Sequence, residues 1–152
     1  MTDNSGQAGP MDVIARNKAT ARRVFEEAWD NANYNALNDL FVQDVQIFHQ
    51  RMYLTKTIAE TIPAVKAYHA AIPDLKMRID QQVAEGNTVV NILTLHGTHT
   101  GEPFKTGPKV FEPNGKKVTQ KRIIVHQFND DGKIVEVLSV HHPMSSEDGV
   151  YE

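Results

Sequence analysis

Apolar positions along this chain change period once, and the change divides it in two. From about Met11 to Trp29, the residues Ile14, Ala21, Val24, Phe25 and Ala28 recur at helical spacing, with Arg16, Arg22, Arg23, Glu26 and Glu27 on the opposite side. The polar stretch Asn31–Tyr34 breaks this pattern, and a short helix follows over Asn35–Phe41, its apolar side formed by Leu37, Leu40 and Phe41. Val45–Tyr53 reads as a strand. Residues 57–71 read as a further helix in which Ile58, Ile62, Val65 and Tyr68 are spaced for burial. Pro63 would remove a hydrogen bond from its interior, which favours a start near Ile62 with the proline in the first turn.

After Pro73 a period of two takes over. Leu75, Met77 and Ile79 alternate with Lys76, Arg78 and Asp80; Gly86-Asn87 turns the chain; Val89–Thr100 is the longest strand. Residues 101–115 hold three prolines and three glycines and read as one long loop, of the kind that forms lids or binding loops. Lys117–Phe128 and Ile134–His142 are two strands joined by Asn129-Asp130-Asp131-Gly132, where Asp-Gly tolerates the positive φ of a tight turn. The expected fold is therefore α+β, with helices packed on one face of a strongly curved sheet and a concave pocket between them. One domain spans residues 11–143, between a disordered lead, 1–10, and a tail, 144–152.

Composition narrows the function. The chain has 152 residues, ordinary apolar and charged content and a net charge of −3, so no basic surplus recruits nucleic acid or an anionic membrane. It has no cysteine, which excludes disulfides and thiolate chemistry. Neither a membrane span nor a secretory signal is expected, and a cytoplasmic location is the default. Motifs for phosphate loops, dinucleotide binding and nucleophile elbows are absent.

Histidine is the richest candidate chemistry, with seven in the chain and three in the last hairpin. Alternation places Gln120, Arg122, Ile124, His126 and Phe128 on one face of their strand, and Val135, Val137, Ser139 and His141 on one face of the next. On the long strand Asn91, Leu93, Leu95, Gly97 and His99 share a face. Both faces of each strand are apolar enough that periodicity leaves open which one lines the pocket. His141-His142 invites a metal reading, but adjacent strand residues point to opposite faces, so no metal site is expected. His69 is expected to be solvent-facing or half-buried on its helix.

The segments AIPDLKMRIDQQVAEGNTVV, LHGTHTGEPF and NGKKVTQKRIIVHQFNDDGKIVE, with ATARRVFEEAWDNANYNALNDLFVQDVQIF before them, resemble the SnoaL-like polyketide cyclases of the nuclear transport factor 2-like superfamily. The likeness runs from about Asn17 to His142. It implies a cone, a curved mixed or antiparallel sheet wrapped around about three helices, and a homodimer or homotetramer joined through the outer face of the sheet. It also implies cofactor-free ring closure by general acid/base catalysis on a small-molecule substrate. Where relatives place an aspartate after the DGKI segment this chain has Ser139; where many place histidine it has Val137; and the facing position, often histidine or aspartate, is Ile124.

If Ser139's face is the pocket face, as the resemblance implies, Arg122, His126, Ser139 and His141 share the catalytic wall. His126 or His141 would serve as acid/base, and Arg122 or Ser139 would steady an oxyanion. His49, Asn91, His99, Trp29, Tyr34, Ile124 and Val137 are the expected substrate-binding residues, with Phe25, Phe41 and Phe48 adding apolar wall. The expected function is a cofactor-independent cyclase or isomerase acting on a polyketide-like or other apolar intermediate. An epoxide-opening cyclase or hydrolase, and a non-catalytic binding or assembly module, are the alternatives.

Overall fold

The computed structural model describes residues 9–49, 55–146 and 149–151. The expected lead therefore lies almost wholly outside the described residues, as do the end of the strand expected to reach Tyr53 and parts of the expected tail. Helix α1 covers Pro10–Arg23, opened by a proline whose fixed φ suits a first turn, with Asp12 near its start and Arg22 and Arg23 in its last turn. It runs straight on into a π-helix, Val24–Asp30. Periodicity anticipated this element's length but not the wider winding of its end. Asn31 closes it by donating to the Glu26 carbonyl at 2.7 Å, and Ala32 takes a left-handed φ of 55°.

Helix α2 is Ala36–Leu40, and β1, Phe41–His49, begins four residues earlier than Val45. A two-residue strand β2, Thr55–Lys56, precedes α3, Ile58–Ala71. The start near Ile62 that Pro63 suggested is not adopted. Thr57 and Glu60 form a capping box, the Thr57 N–H donating to Glu60 Oε2 at 2.7 Å, and this satisfies donors that would otherwise be orphaned. Pro63 therefore sits inside the helix.

Strands β3 (Lys76–Glu85) and β4 (Thr88–Thr98) form a hairpin. Residues 101–115 are not one open loop: Phe104–Thr106 (β5) and Lys109–Phe111 (β6) pair as a small hairpin turned at Gly107, whose φ is +58°. Strand β7 is Lys117–Phe128 and β8 is Ile134–His141, joined at Gly132 with φ +77° and with Asn129 Oδ1 accepting from the N–H groups of Asp131 and Lys133. The segment read as a tail extends the sheet with β9 (Met144–Ser146), which pairs with β7 and buries Met144, and β10 (Gly149–Tyr151).

Strand β7 is the axis of the sheet. Along one edge it pairs with β4 from Thr88↔Gln127 to Thr98↔Lys117; its other edge is shared by β8 and β9. The sheet is mixed because β1 lies parallel to β8. Burial on β7 alternates along most of its length, placing Val118, Gln120, Arg122, Ile124, His126 and Phe128 inward. On β8 the alternation fails once. A register shift at Val135 brings Ile134 inward with Val137 and Ser139, although simple alternation puts Ile134 with Glu136 and Leu138. The helices cover the concave face, where Phe25, Leu93, Leu95, Ile134 and Val65 are buried. No helix among the described residues is long and apolar enough to cross a membrane.

Candidate active site

The concave face encloses a cavity between the helices and strands β1, β7 and β8. The π-helix supplies Phe25 and Trp29, α3 supplies Ile58, Thr61 and Val65, and the strands supply Ile47, His49, Arg122, Ile124, His126, Val137 and Ser139. Its walls are apolar with a few polar groups, as ligand sites are. Among the described residues no carboxylate lines it, and its ionisable side chains are those of His49, Arg122 and His126.

His126 is 1% exposed and held among rings. It stacks on Phe25 at 5.7 Å and meets Phe41 and Phe128 edge-on. Burial disfavours the charged imidazolium and pushes its pKa down to about 3, so the ring is neutral at physiological pH. Its tautomer follows from Asn91. The Asn91 amide NH2 donates to the Ile124 carbonyl at 2.9 Å, while its Oδ1 accepts from Gln82 at 2.9 Å. The 3.2 Å contact of Asn91 Nδ2 with His126 Nδ1 therefore makes Nδ1 the acceptor and leaves the proton on Nε2. His126 thus offers the site a neutral N–H donor. Asn91 is fully buried and orients this donor without itself lining the cavity.

Arg122 is 6% exposed. Its guanidinium packs against two adjoining rings, with Cζ 5.0 Å from the Trp29 centroid and 4.8 Å from that of Tyr68, the two centroids being 5.6 Å apart. Nε donates to Gln120 Oε1 at 2.7 Å, and Gln120 is held in turn by donating to the His142 carbonyl at 2.8 Å. Ser139, 4% exposed, faces the cavity between the cross-strand partners Ile124 and His49.

The expected residues thus separate. His126, Arg122, Ser139, His49, Trp29, Ile124 and Val137 meet in one cavity. His141, half-buried opposite Arg122, lines a second depression with Ile92, Val140 and Pro143, to which Arg122 also contributes. Tyr34 donates to His69 Nδ1 at 2.7 Å, and His69 Nε2 donates to the Trp29 carbonyl at 2.5 Å, so this pair braces the π-helix. His99 is fully buried away from the cavity and bonds the Glu102 carbonyl at 2.9 Å. It folds the GTHTGE segment so that Gly101 and Glu102 donate to the Ala71 and Ala70 carbonyls of α3. Phe48 faces away from the cavity, one residue out of phase with Ile47 and His49. Sequence reasoning missed Thr61, Ile47, the bond between Gln120 and Arg122, and the placement of Tyr68 against Arg122. The helical spacing of Ile58, Val65 and Tyr68 marked a buried face without saying what it covered.

A curled mixed sheet around three helices, with a polar-pointed apolar cavity inside, defines a nuclear transport factor 2-like protein. The chain belongs to the SnoaL-like polyketide cyclase family, whose model matches residues 19–147. Solved structures agree on the fold. AclR of Streptomyces galilaeus, a proposed hydroxylase, superposes with a TM-score of 0.72 at 22% identity, covering 85% of this chain and 90% of that one. IdmH of Streptomyces antibioticus, a proposed polyketide cyclase, gives 0.70 at 17% identity, covering 82% and 91%. A proposed ketosteroid isomerase of Kribbella flavida gives 0.60 at 13% identity, covering 85% and 79%. No curated protein matches the chain.

Proposed function

We propose that this protein is a cofactor-independent cyclase or isomerase that moves protons on a polyketide-like substrate inside the cone. The observation that carries this reading is the neutral His126, locked by Asn91 with its Nε2–H available in an apolar cavity. A preorganised donor in a water-poor site stabilises an oxygen that gains charge. It is a poor base, because its lone-pair nitrogen is engaged by Asn91 and its basicity is low. The base falls to His49, the remaining histidine in the cavity wall.

The chemistry follows from these roles. His49 removes a proton from a carbon flanked by carbonyls, and the electron pair moves onto the carbonyl oxygen held by His126 Nε2–H. The Ser139 hydroxyl assists the same oxygen. The enolate carbon attacks a second carbonyl of the same molecule, forming the C–C bond. The resulting alkoxide recovers the proton from His49. For an isomerase the last step is reprotonation at another carbon.

The test is cyclisation of a linear poly-β-ketone by wild type, His126→Phe and His49→Gln. His126→Phe keeps a ring on Phe25 and removes the donor, so the rate should fall about 10²- to 10³-fold; His49→Gln should cost about 10²- to 10⁴-fold. His141→Ala should leave the rate close to wild type. Wild-type rates in both His126→Phe and His49→Gln would overturn the reading.

A further inference from the structure

Arg122 carries a positive charge into the interior with no carboxylate partner among the described residues. Nη2 is fully buried and has no hydrogen-bond partner among the described residues. The sole acceptor for the guanidinium among them is the neutral Gln120 amide at Nε. Among the described residues the cavity wall it belongs to has no carboxylate. The two adjoining rings stabilise the cation but accept no conventional hydrogen bond from Nη2. A buried charge without an ionic partner is costly, and a guanidinium edge with free in-plane donors matches a planar carboxylate.

We propose that Arg122 recognises an ionised carboxylate on the ligand, so that this protein acts on an acid with an apolar body. The inference rests on the cone cavity being the substrate site, and it names the class of substrate that site takes. A carboxylate suits the geometry better than a phosphate. The guanidinium is planar and held against Trp29 and Tyr68, and no second arginine or lysine lines the cavity among the described residues to match a dianion. The apolar part of the ligand would lie against Phe25, Ile124 and Val137, which places its carbonyls within the reach of the His126 wall. The substrate's charge would then give Arg122 an ionic partner that the described residues do not supply.

The chain has one tryptophan, and it stands on Arg122, so Trp29 fluorescence reports occupancy directly. The full chain is titrated with 3-phenylpropionate and with its neutral amide, at pH 7. The acid should produce a saturable change in fluorescence, and the amide should bind about 10- to 100-fold more weakly. Arg122→Met should bind acid and amide alike, while Arg122→Lys should keep part of the preference. Equal affinity of acid and amide for the wild type would overturn the proposal, as would an Arg122→Met variant that keeps the preference. Circular dichroism checks that Arg122→Met is folded; if it is not, the wild-type comparison and Arg122→Lys decide. The probe acid cannot cyclise, so failure of carboxylate binding and failure of the catalytic reading are separate results. Arg122→Met should also melt no lower than wild type in the absence of ligand, because it removes an unpaired buried charge.

Discussion

Asn91 and His126 face each other across β4 and β7 with 3.2 Å between the side-chain nitrogens, and only one assignment of protons satisfies that contact. Asn91 spends its carbonyl on Gln82 and its amide on Ile124 and His126. Asn91→Leu should leave the Ile124 carbonyl and His126 Nδ1 without their donor and cost about 1–3 kcal/mol in urea unfolding. Nitrogen NMR of the wild type should show His126 protonated at Nε2 alone. The variant should show loss of that preference. A wild-type spectrum with the proton on Nδ1 would contradict the assigned geometry.

The depressed pKa of His126 has a stability consequence with a definite sign. The folded state holds the ring neutral down to about pH 3, whereas the unfolded chain takes up a proton near the ordinary histidine value of about 6.5. Stability is therefore fully present above about pH 6.5 and declines as pH falls toward 3, by an amount on the order of a few kcal/mol. His126→Phe should flatten this part of the curve. Asp80 acts in a lower window. Its hydrogen bonds from Thr94 and from Arg78 hold its pKa below the usual carboxylate range, so its contribution is present above about pH 4 and fades as pH falls further. Urea midpoints between pH 7 and pH 4 for wild type and His126→Phe separate the two effects.

Gly101 should not tolerate alanine. A Cβ there would lie 1.9 Å from the Ala70 carbonyl oxygen, a backbone atom that cannot swing aside. The GTHTGE segment docks on α3 through the hydrogen bonds that this close approach allows. Gly101→Ala should cost more than about 2 kcal/mol, at the severe end for single substitutions, and lower the melting temperature by several degrees. Gly115→Ala, with open space around it but a φ of +71°, should cost less.

Ser139→Asp is informative because Ser139 is the diagonal neighbour of Arg122 on the inner face, Arg122 pairing with His141 and Ile124 with Ser139. Diagonal Cβ atoms lie on the order of 7 Å apart, within the span of an arginine. The new carboxylate should supply Arg122 with an internal counterion, depress its own pKa, and weaken 3-phenylpropionate binding about tenfold or more. Unchanged acid affinity together with an unperturbed aspartate pKa would show that the two side chains do not meet.

Much of the inner face of the sheet was legible in the chain because it is written in a local code. The period of two along Lys117–Phe128 tells which side chains point the same way, and burial confirms Arg122, Ile124 and His126 as one inward row. The same code failed at Val135, where a bulge adds one residue and reverses the phase before it. It also did not foretell where two of the histidines lie. His99 has the residue type of a ligand, but its neighbours in space are the loop and helix end that it ties down. His141 has the right parity, yet it sits at the strand end, beside a different depression.

What the sequence determined by itself is orientation: the helical and strand faces, the turn at Gly132, the family, and the absence of the usual aspartate at Ser139. These depend on residues a few positions apart, where backbone geometry dictates direction. Only the tertiary structure decided the chemistry of each group. Trp29 and Tyr68 converge on Arg122 from a π-helix and from α3, and Asn91 reaches His126 from a neighbouring strand. Desolvation, proton position and ring packing arise between segments far apart in the chain. That is why a row of polar residues could be read early, while a neutral histidine and a ring-packed arginine in one wall could not.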